Sequence, residues 1–243
     1  MTNKLIEAIA KRASIGTKQT ANVISLLDEG NTVPFIARYR KEATGSLDEV
    51  EIKAIEDAYH YEKGLEQRKE EVVRLIEEQG KLTDELKKDI EFATVLQRVE
   101  DLYRPYKQKR RTRAMIAIES GLEPLADKLM AFGRENPEDL AAAFVNEEKN
   151  VASVEEALAG ARDIIAERIA DDAALRESVR KLAWSDGQMA AALRKGADDE
   201  RGVYEMYYEY EEPLKKIVPH RVLALNRGEK EEVLRVGVAF PTE

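Results

Sequence analysis

Residues 47–79 constrain this chain more than any other stretch. They hold no proline and one glycine, Gly64, and the apolar positions Ile55, Ala58, Leu65, Val72 and Ile76 approximate a heptad seam. A helix of that length spans roughly 50 Å, which makes it the central element of the fold. Glu49 with Lys53 and Glu70 with Arg74 stand at the i,i+4 spacing that supports a helix. Gly80 stops it. Gly64 costs about 1 kcal/mol against alanine, and marks either a close helix crossing or a weak spot.

Most of the remaining pattern is also helical. Leu5, Ile6, Ile9 and Ala10 define a first helix, and Thr17 caps a second that carries Ala21, Ile24 and Leu27 to a stop at Gly30. Residues 33–43 predict a third helix, with Thr32 as N-cap, Pro34 in the first turn and Phe35, Ile36, Tyr39 and Ala43 on one face. Arg38 and Lys41 flank that stripe on one side and Arg40 on the other. Ser46-Leu47-Asp48-Glu49 has the form of a capping box in which Ser46 bonds the Glu49 amide. Beyond the long helix, Thr83 caps a segment to about Ala93, and Val95, Val99 and Leu102 mark another. Short helices follow at Met115–Ile118, after Pro124 and after Asn136-Pro137, and Ser153-Val154-Glu155-Glu156 is a second capping box. Helices are predicted over 173–184, with Trp184 in the core, and over 188–195.

The character changes near Gly196. Residues 197–201 are polar, and Tyr204, Tyr207, Tyr208 and Tyr210 bring four of the nine tyrosines within seven residues, which suggests interdomain packing. Residues 220–227 have a helical pattern and 233–240 (VLRVGVAF) read as a strand. A lone strand cannot satisfy its ladder groups, so this tail is expected either to open a following domain or to pair locally. The fold class is mainly α: a multi-helix N-terminal scaffold with a long central helix, a helix-turn-helix element and a short β-strand tail. The division is helical over 1–198, with a linker and the beginning of another domain over 199–243.

Composition narrows the function classes. There are no cysteines, which excludes disulfides, thiolate metal sites and cysteine nucleophiles and fits a reducing cytoplasm. No apolar run is long enough to span a membrane, and Met1 leads directly into an amphipathic pattern without a signal-peptide block. The net charge of −9 argues against nucleic-acid binding over the whole surface and leaves a local basic patch open. The 13 glycines form no phosphate loop. His60 and His220 are far apart and lack a metal-ligand spacing, and Asp171-Asp172 and Asp198-Asp199 have the look of loop caps. No nucleophile, base and orienting group assemble, so neither catalysis, metal nor cofactor is expected.

The strongest chemical signal is residues 104–113, RPYKQKRRTR, with six cations, no acid and the flat surfaces of Tyr103 and Tyr106 beside them. Arg104, Lys107, Lys109, Arg110, Arg111 and Arg113 are the first candidates for contact with RNA or DNA, through phosphates and stacked bases. The same loop could instead pair with acidic helix faces, such as that of the long helix. Arg38, Arg40 and Lys41 stand behind these as candidates. The first two helices also form a helical hairpin in which Lys18, Gln19, Thr20 and Asn22 begin a would-be recognition helix.

The segment TVPFIARYRKEATGSLDE, followed by EQRKEEVVRLIEEQGKLTDEL, VEDLYRPYKQKRRTRAMIAIESGLEPLAD and VPHRVLALNRGEKEEVL, resembles the Tex family of bacterial transcription accessory factors. The resemblance is collinear over nearly the whole chain. It implies a helical N-terminal region with a helix-turn-helix element, followed in the family by a YqgF domain of ribonuclease-H-like fold, helix-hairpin-helix motifs and an S1 domain. This chain reaches only the start of the YqgF-like part. The family's nucleic-acid binding is ascribed chiefly to the absent S1 domain, and the matched motifs carry no catalytic residues. The expected role is therefore the helical scaffold of a cytoplasmic, Tex-like RNA/DNA-binding accessory protein working with the transcription machinery. The alternative is a protein–protein or interdomain module without nucleic-acid binding of its own.

Overall fold

The computed structural model describes residues 3–240 and divides into two compact units, 1–107 and 108–243. The first is all helix: α1 (Asn3–Ala13), α2 (Thr17–Asp28), α3 (Val33–Tyr39), α4 (Lys41–Thr44), α5 (Glu49–Glu77), α6 (Asp84–Phe92) and α7 (Leu96–Tyr103), closed by a 3-10 turn at Arg104–Tyr106.

Helix α5 is the 29-residue spine, and all five seam residues are buried. Its N-cap is Asp48 rather than Ser46. Asp48 Oδ1 accepts from the Glu51 amide at 2.8 Å, and Glu51 Oε2 accepts from the Asp48 amide at 2.9 Å. The box is shifted by two residues because Gly45 and Ser46 both take positive φ to end the preceding helix. The expected i,i+4 pairs are replaced: Lys53 meets Glu56 and Asp57, and Arg74 reaches Glu78. Nothing lies within 4 Å of a Cβ built on Gly64, so it marks no close crossing.

The first half of α5 packs α1, α2 and α3 around Ile9, Val23, Ile24, Val33, Ile36, Ile52 and Ile55. Its second half carries α6 and α7, and there charged groups fasten the helices. Lys69 Nζ donates to the Glu91 carbonyl at 3.0 Å and pairs with Glu66. Arg68 grips Glu100 through two bonds of 2.6 and 3.2 Å and lies over the Tyr103 ring. Arg12 of α1 pairs with the buried Glu62 at 2.7 Å and stacks on Tyr61.

The second unit begins with α8 (Arg113–Glu119), α9 (Glu123–Met130), α10 (Pro137–Ala142) and α11 (Val154–Asp171), gathered around Ala117, Leu125, Ala141, Ala157, Ala161 and Ile164. Alanines dominate this core, so helices approach closely. A Cβ on Gly160 of α11 would collide with Leu122 and stand 3.2 Å from Ala117 Cβ. Ser153 caps α11 by accepting from the Glu156 amide at 3.2 Å, while Glu156 turns back to the Ala152 amide. Helix α12 (Ala173–Asp186) follows, capped by Asp172, and none of its residues is buried. Trp184 is 61% exposed, contrary to the core position expected of it.

A small sheet completes this unit: β1 (Gln188–Leu193), β2 (Glu209–Pro213), α13 (Pro219–Lys230) and β3 (Leu234–Ala239), in the order β2-β1-β3, all antiparallel. Ala191 stands opposite Tyr210 on one side and Val236 on the other. The sequence reading places a helix over 188–195, where the alanines, Met189 and Leu193 favour one. Two flanking strands override that preference and make β1 the central strand. The C-terminal strand is therefore paired locally. Tyr204 and Tyr207 are buried against this sheet and α13, inside the unit rather than at a domain boundary. Asp199, expected as a loop cap, accepts from the Val203 and Tyr204 amides and the Tyr208 hydroxyl.

Candidate nucleic-acid interface

The 33–43 segment is two helices, and the break between them makes its surface. Arg40 leaves the helical region (φ −126°, ψ 28°), ending α3 and starting α4. Val33 and Ile36 are buried against the core and Ala37 is half-buried, at the i, i+3, i+4 spacing of a short docking face. That places Phe35 and Tyr39 on the outer side, apart from the buried Ile36 with which the sequence pattern groups them. Tyr39 is 59% and Phe35 36% exposed, with ring centroids 5.2 Å apart and planes inclined at 47°.

Two guanidiniums lie beside the rings. The Arg40 guanidinium lies 5.2 Å from the Phe35 centroid, and that of Arg38 lies 6.0 Å from the Tyr39 centroid. Arg38, Arg40 and Lys41 are all exposed. The ion pairs among the described residues include none of the three.

Helix α2 holds this corner in place. Asn22 Nδ2 donates to the Ala43 carbonyl at 2.7 Å and Gln19 Nε2 to the Thr44 carbonyl at 3.1 Å, satisfying the last carbonyls of α4. Gly45 turns left-handed directly over Gln19, whose Nε2 would sit 2.8 Å from an added Cβ. The α1–α2 hairpin is formed, with its turn at residues 14–16. Of the four would-be reading residues, Gln19 and Asn22 serve as caps and Thr20 is fully buried, leaving Lys18 exposed. Thr17 lies inside α2, and Gly16 occupies the cap position.

The segment 104–113 is arranged differently. The division between the units falls within it, so Arg104 and Lys107 belong to the first and the other four cations to the second. Lys109 Nζ pairs with Glu167 Oε1 at 2.6 Å and with Asp171, both on α11. Partial burial opposes the Lys109 charge, but the Asp171 and Glu167 carboxylates outweigh it and hold its pKa above the ordinary lysine value. Thr112 caps α8 and donates its hydroxyl to Glu167 at 2.9 Å. Arg111 pairs with Glu119 at 2.6 Å, and Arg113 reaches Asp163 at 3.6 Å. Arg104 is also engaged. Lys107 and Arg110 are exposed and absent from the ion pairs among the described residues. Tyr103 is buried under Arg68, so it offers no stacking surface, and the Tyr106 carbonyl is held by Gln79 Nε2 at 3.0 Å.

An open groove runs beside the corner, between the α2–α3 turn and the first half of α5. Asp28, Glu49, Glu56 and Asp57 line it, and its Lys53 is neutralised by two of them, so its charge suits no polyanion. His60 and His220 are exposed. Among the described residues no group of three or more His, Asp or Glu is placed to hold a metal, and no helix is long and apolar enough to cross a membrane.

The sequence matches two family models, a Tex-like protein N-terminal domain over residues 3–77 and a Tex central region-like model over residues 133–243. It is 54% identical over 98% of its length to an uncharacterized protein, YdcI, of Bacillus subtilis (strain 168), covering 34% of that protein. It is 43% identical over 96% of its length to the transcriptional accessory protein Tex of Neisseria gonorrhoeae, covering 30%. A human S1 RNA-binding domain-containing protein 1 is 25% identical over 96% of the chain and is covered over 24% of its own length. The chain thus spans about a third or less of the curated relatives it matches. Between them the two models take in the α1–α5 assembly and the whole of the α10-to-β3 region, and the chain belongs to the Tex family.

Proposed function

We propose that this region is the helical scaffold of a Tex-like transcription accessory protein of the cytoplasm, and that it contributes a nucleic-acid contact of its own at the α3–α4 corner. The observation that carries this is charge availability: Arg38, Arg40 and Lys41 stand together, exposed and without carboxylate partners among the described residues, on a chain of net charge −9. Such cations gain by displacing counterions from phosphates, and a steep salt dependence follows. The names of the relatives, one a transcriptional accessory protein and one an S1 RNA-binding domain protein, support the same reading. No catalytic role is part of the proposal.

Titrating the chain with fluorescein-labelled RNA and DNA between low and moderate salt tests it. Binding should weaken steeply with salt, and replacing Arg38, Arg40 and Lys41 by glutamine should flatten the log–log slope by about 2, at about 0.7 per single-strand phosphate contact. Absence of binding at low salt would refute the proposal for this region. A second reading, an interaction module that binds only protein, is favoured by α12, whose Leu175, Val179 and Leu182 share one face and stay about half exposed.

A further inference from the structure

We propose that the α3–α4 corner takes single-stranded nucleic acid, with unpaired bases stacking on Tyr39 and Phe35 while Arg38, Arg40 and Lys41 hold the flanking phosphates. This rests on the nucleic-acid reading above and narrows it to one class of ligand.

The rings are the first argument. A seven-residue helix that buries Val33 and Ile36 could have carried any polar residues on its outer side, yet it carries two aromatic rings, one of them mostly open to water. Exposed aromatic surface rimmed by charge marks a contact site rather than a packing position. The buried Val33 and Ile36 hold the backbone that bears the rings and the α2 caps hold α4 beside it, so little ordering is left to be done on binding.

The second argument is the pairing of ring and guanidinium. Arg40 with Phe35 and Arg38 with Tyr39 are cation–π pairs that keep each guanidinium beside a flat surface. A guanidinium held there keeps in-plane N–H donors for phosphate oxygens. One nucleotide presents the same two elements, a π-face and a phosphate, at neighbouring positions. Stacking on exposed aromatics within a cationic surface is how single strands are gripped without sequence reading.

Duplex fits less well. Its base faces are already stacked on one another, so the rings would find only groove edges and backbone. An acidic peptide would satisfy the cations but leave the rings without a flat partner.

The test is a binding comparison on the whole chain using an oligouridylate, a matched abasic oligomer, a duplex of equal length and poly-glutamate. The variants are Tyr39→Leu and Phe35→Leu, which keep apolar bulk and lose the flat ring, and Tyr39→Trp, which keeps it. Circular dichroism checks that each variant folds as the parent does. Single strand is expected to bind at least 10-fold tighter than duplex. Each leucine variant should lose about 10-fold while the salt slope stays unchanged, and Tyr39→Trp should retain binding. The abasic oligomer forgoes both stacks and should bind the parent more weakly than the oligouridylate binds either leucine variant. If duplex binds as well as single strand, or the leucine variants bind normally, the single-strand assignment is overturned while the cation contact stands. If poly-glutamate competes as well as the oligouridylate, the ligand is an acidic protein segment. If nothing binds at low salt, both proposals fall together.

Discussion

The two cationic segments of this chain have opposite fates. Residues 107–113 carry five cations in seven positions, more than any other stretch, yet three of the five face carboxylates of their own unit. Residues 38–41 carry three cations, and the ion pairs among the described residues include none of them. The cause is the neighbouring helix. Segment 107–113 enters α8 alongside α11, whose Asp163, Glu167 and Asp171 repeat at i, i+4, i+8 and form an acidic stripe toward it. Segment 38–41 lies at a helix break braced by uncharged Gln19 and Asn22. Charge density in a sequence therefore does not tell which cations stay unpaired. Availability depends on what the fold sets opposite.

The comparison is broken most forcefully by moving α11. Gly160→Ala puts a methyl group where Leu122 and Ala117 already pack, and overpacking of this kind costs about 1–3 kcal/mol. Urea unfolding should show a lowered midpoint with an unchanged slope. If pairing with α11 is what occupies Lys109 and Arg113, the same variant should gain salt-dependent affinity for RNA in the folded baseline. A destabilised variant with parental binding would separate packing from charge occupancy.

Lys109→Met attacks the pairing directly. It leaves Glu167 and Asp171 facing one another in a partly buried site, and the expected loss is about 1–2 kcal/mol after allowance for their contact with solvent. The pH dependence has a definite sign. The Lys109 pKa is raised in the folded state, so its contribution is complete below the unfolded lysine value near 10.4 and is lost as pH rises through the folded value. The stability gap between parent and variant should stay constant from about pH 7 to 9 and shrink above about pH 10.5. A gap that persists at high pH would assign the lysine a packing role instead. Arg38→Gln, by contrast, should leave stability within about 0.5 kcal/mol of the parent.

The sequence makes the helical pattern readable because period and punctuation agree. The α5 seam is buried residue for residue, and Thr83, Asn136 and Ser153 cap the helices expected of them. Long-range partners are what the local pattern does not carry. Residues 188–195 have helix-forming composition and become a central strand only because β2 and β3 flank them. The candidate corner was readable as cations and misread as a face. Phe35 and Tyr39 do share a side of α3, but it is the outer one, because Val33, Ile36 and Ala37 take the inward face and part Ile36 from them. Nor does any sequence spacing tell which cations of 104–113 meet acid, since Glu167 and Asp171 lie some sixty residues away.

The brace under the corner gives a smaller effect that sharpens the same contrast. Asn22→Ala removes a bond to the carbonyl of exposed Ala43 and Gln19→Ala one to the carbonyl of buried Thr44, and each should cost about 0.5–1.5 kcal/mol. Their larger consequence should fall on binding, because Lys41 and the Arg40 break lose their fixed position while every ligand-facing side chain is retained. Weaker RNA binding with an unchanged salt slope is the expected signature, measured beside the glutamine variants of the cations, which should reduce the slope itself.

The smallest expected effect is the most discriminating. Arg111→Gln with Arg113→Gln removes two charges from the densest cationic run, yet both already have acidic partners, Glu119 at 2.6 Å and Asp163 at 3.6 Å. The pairs are exposed and worth no more than about 1 kcal/mol each, so stability should scarcely move. If occupancy by carboxylates decides availability, the salt slope should also stay within about 0.5 of the parent, against a fall of about 2 for the triple variant at Arg38, Arg40 and Lys41. A phosphate can compete for an arginine only by separating it from its carboxylate, and the freed carboxylate then repels the incoming strand. A fall of 1 or more in the double variant would mean that these exposed pairs open readily toward a polyanion. Raw charge density would then predict the interface better than pairing does, and the order of the two segments would reverse.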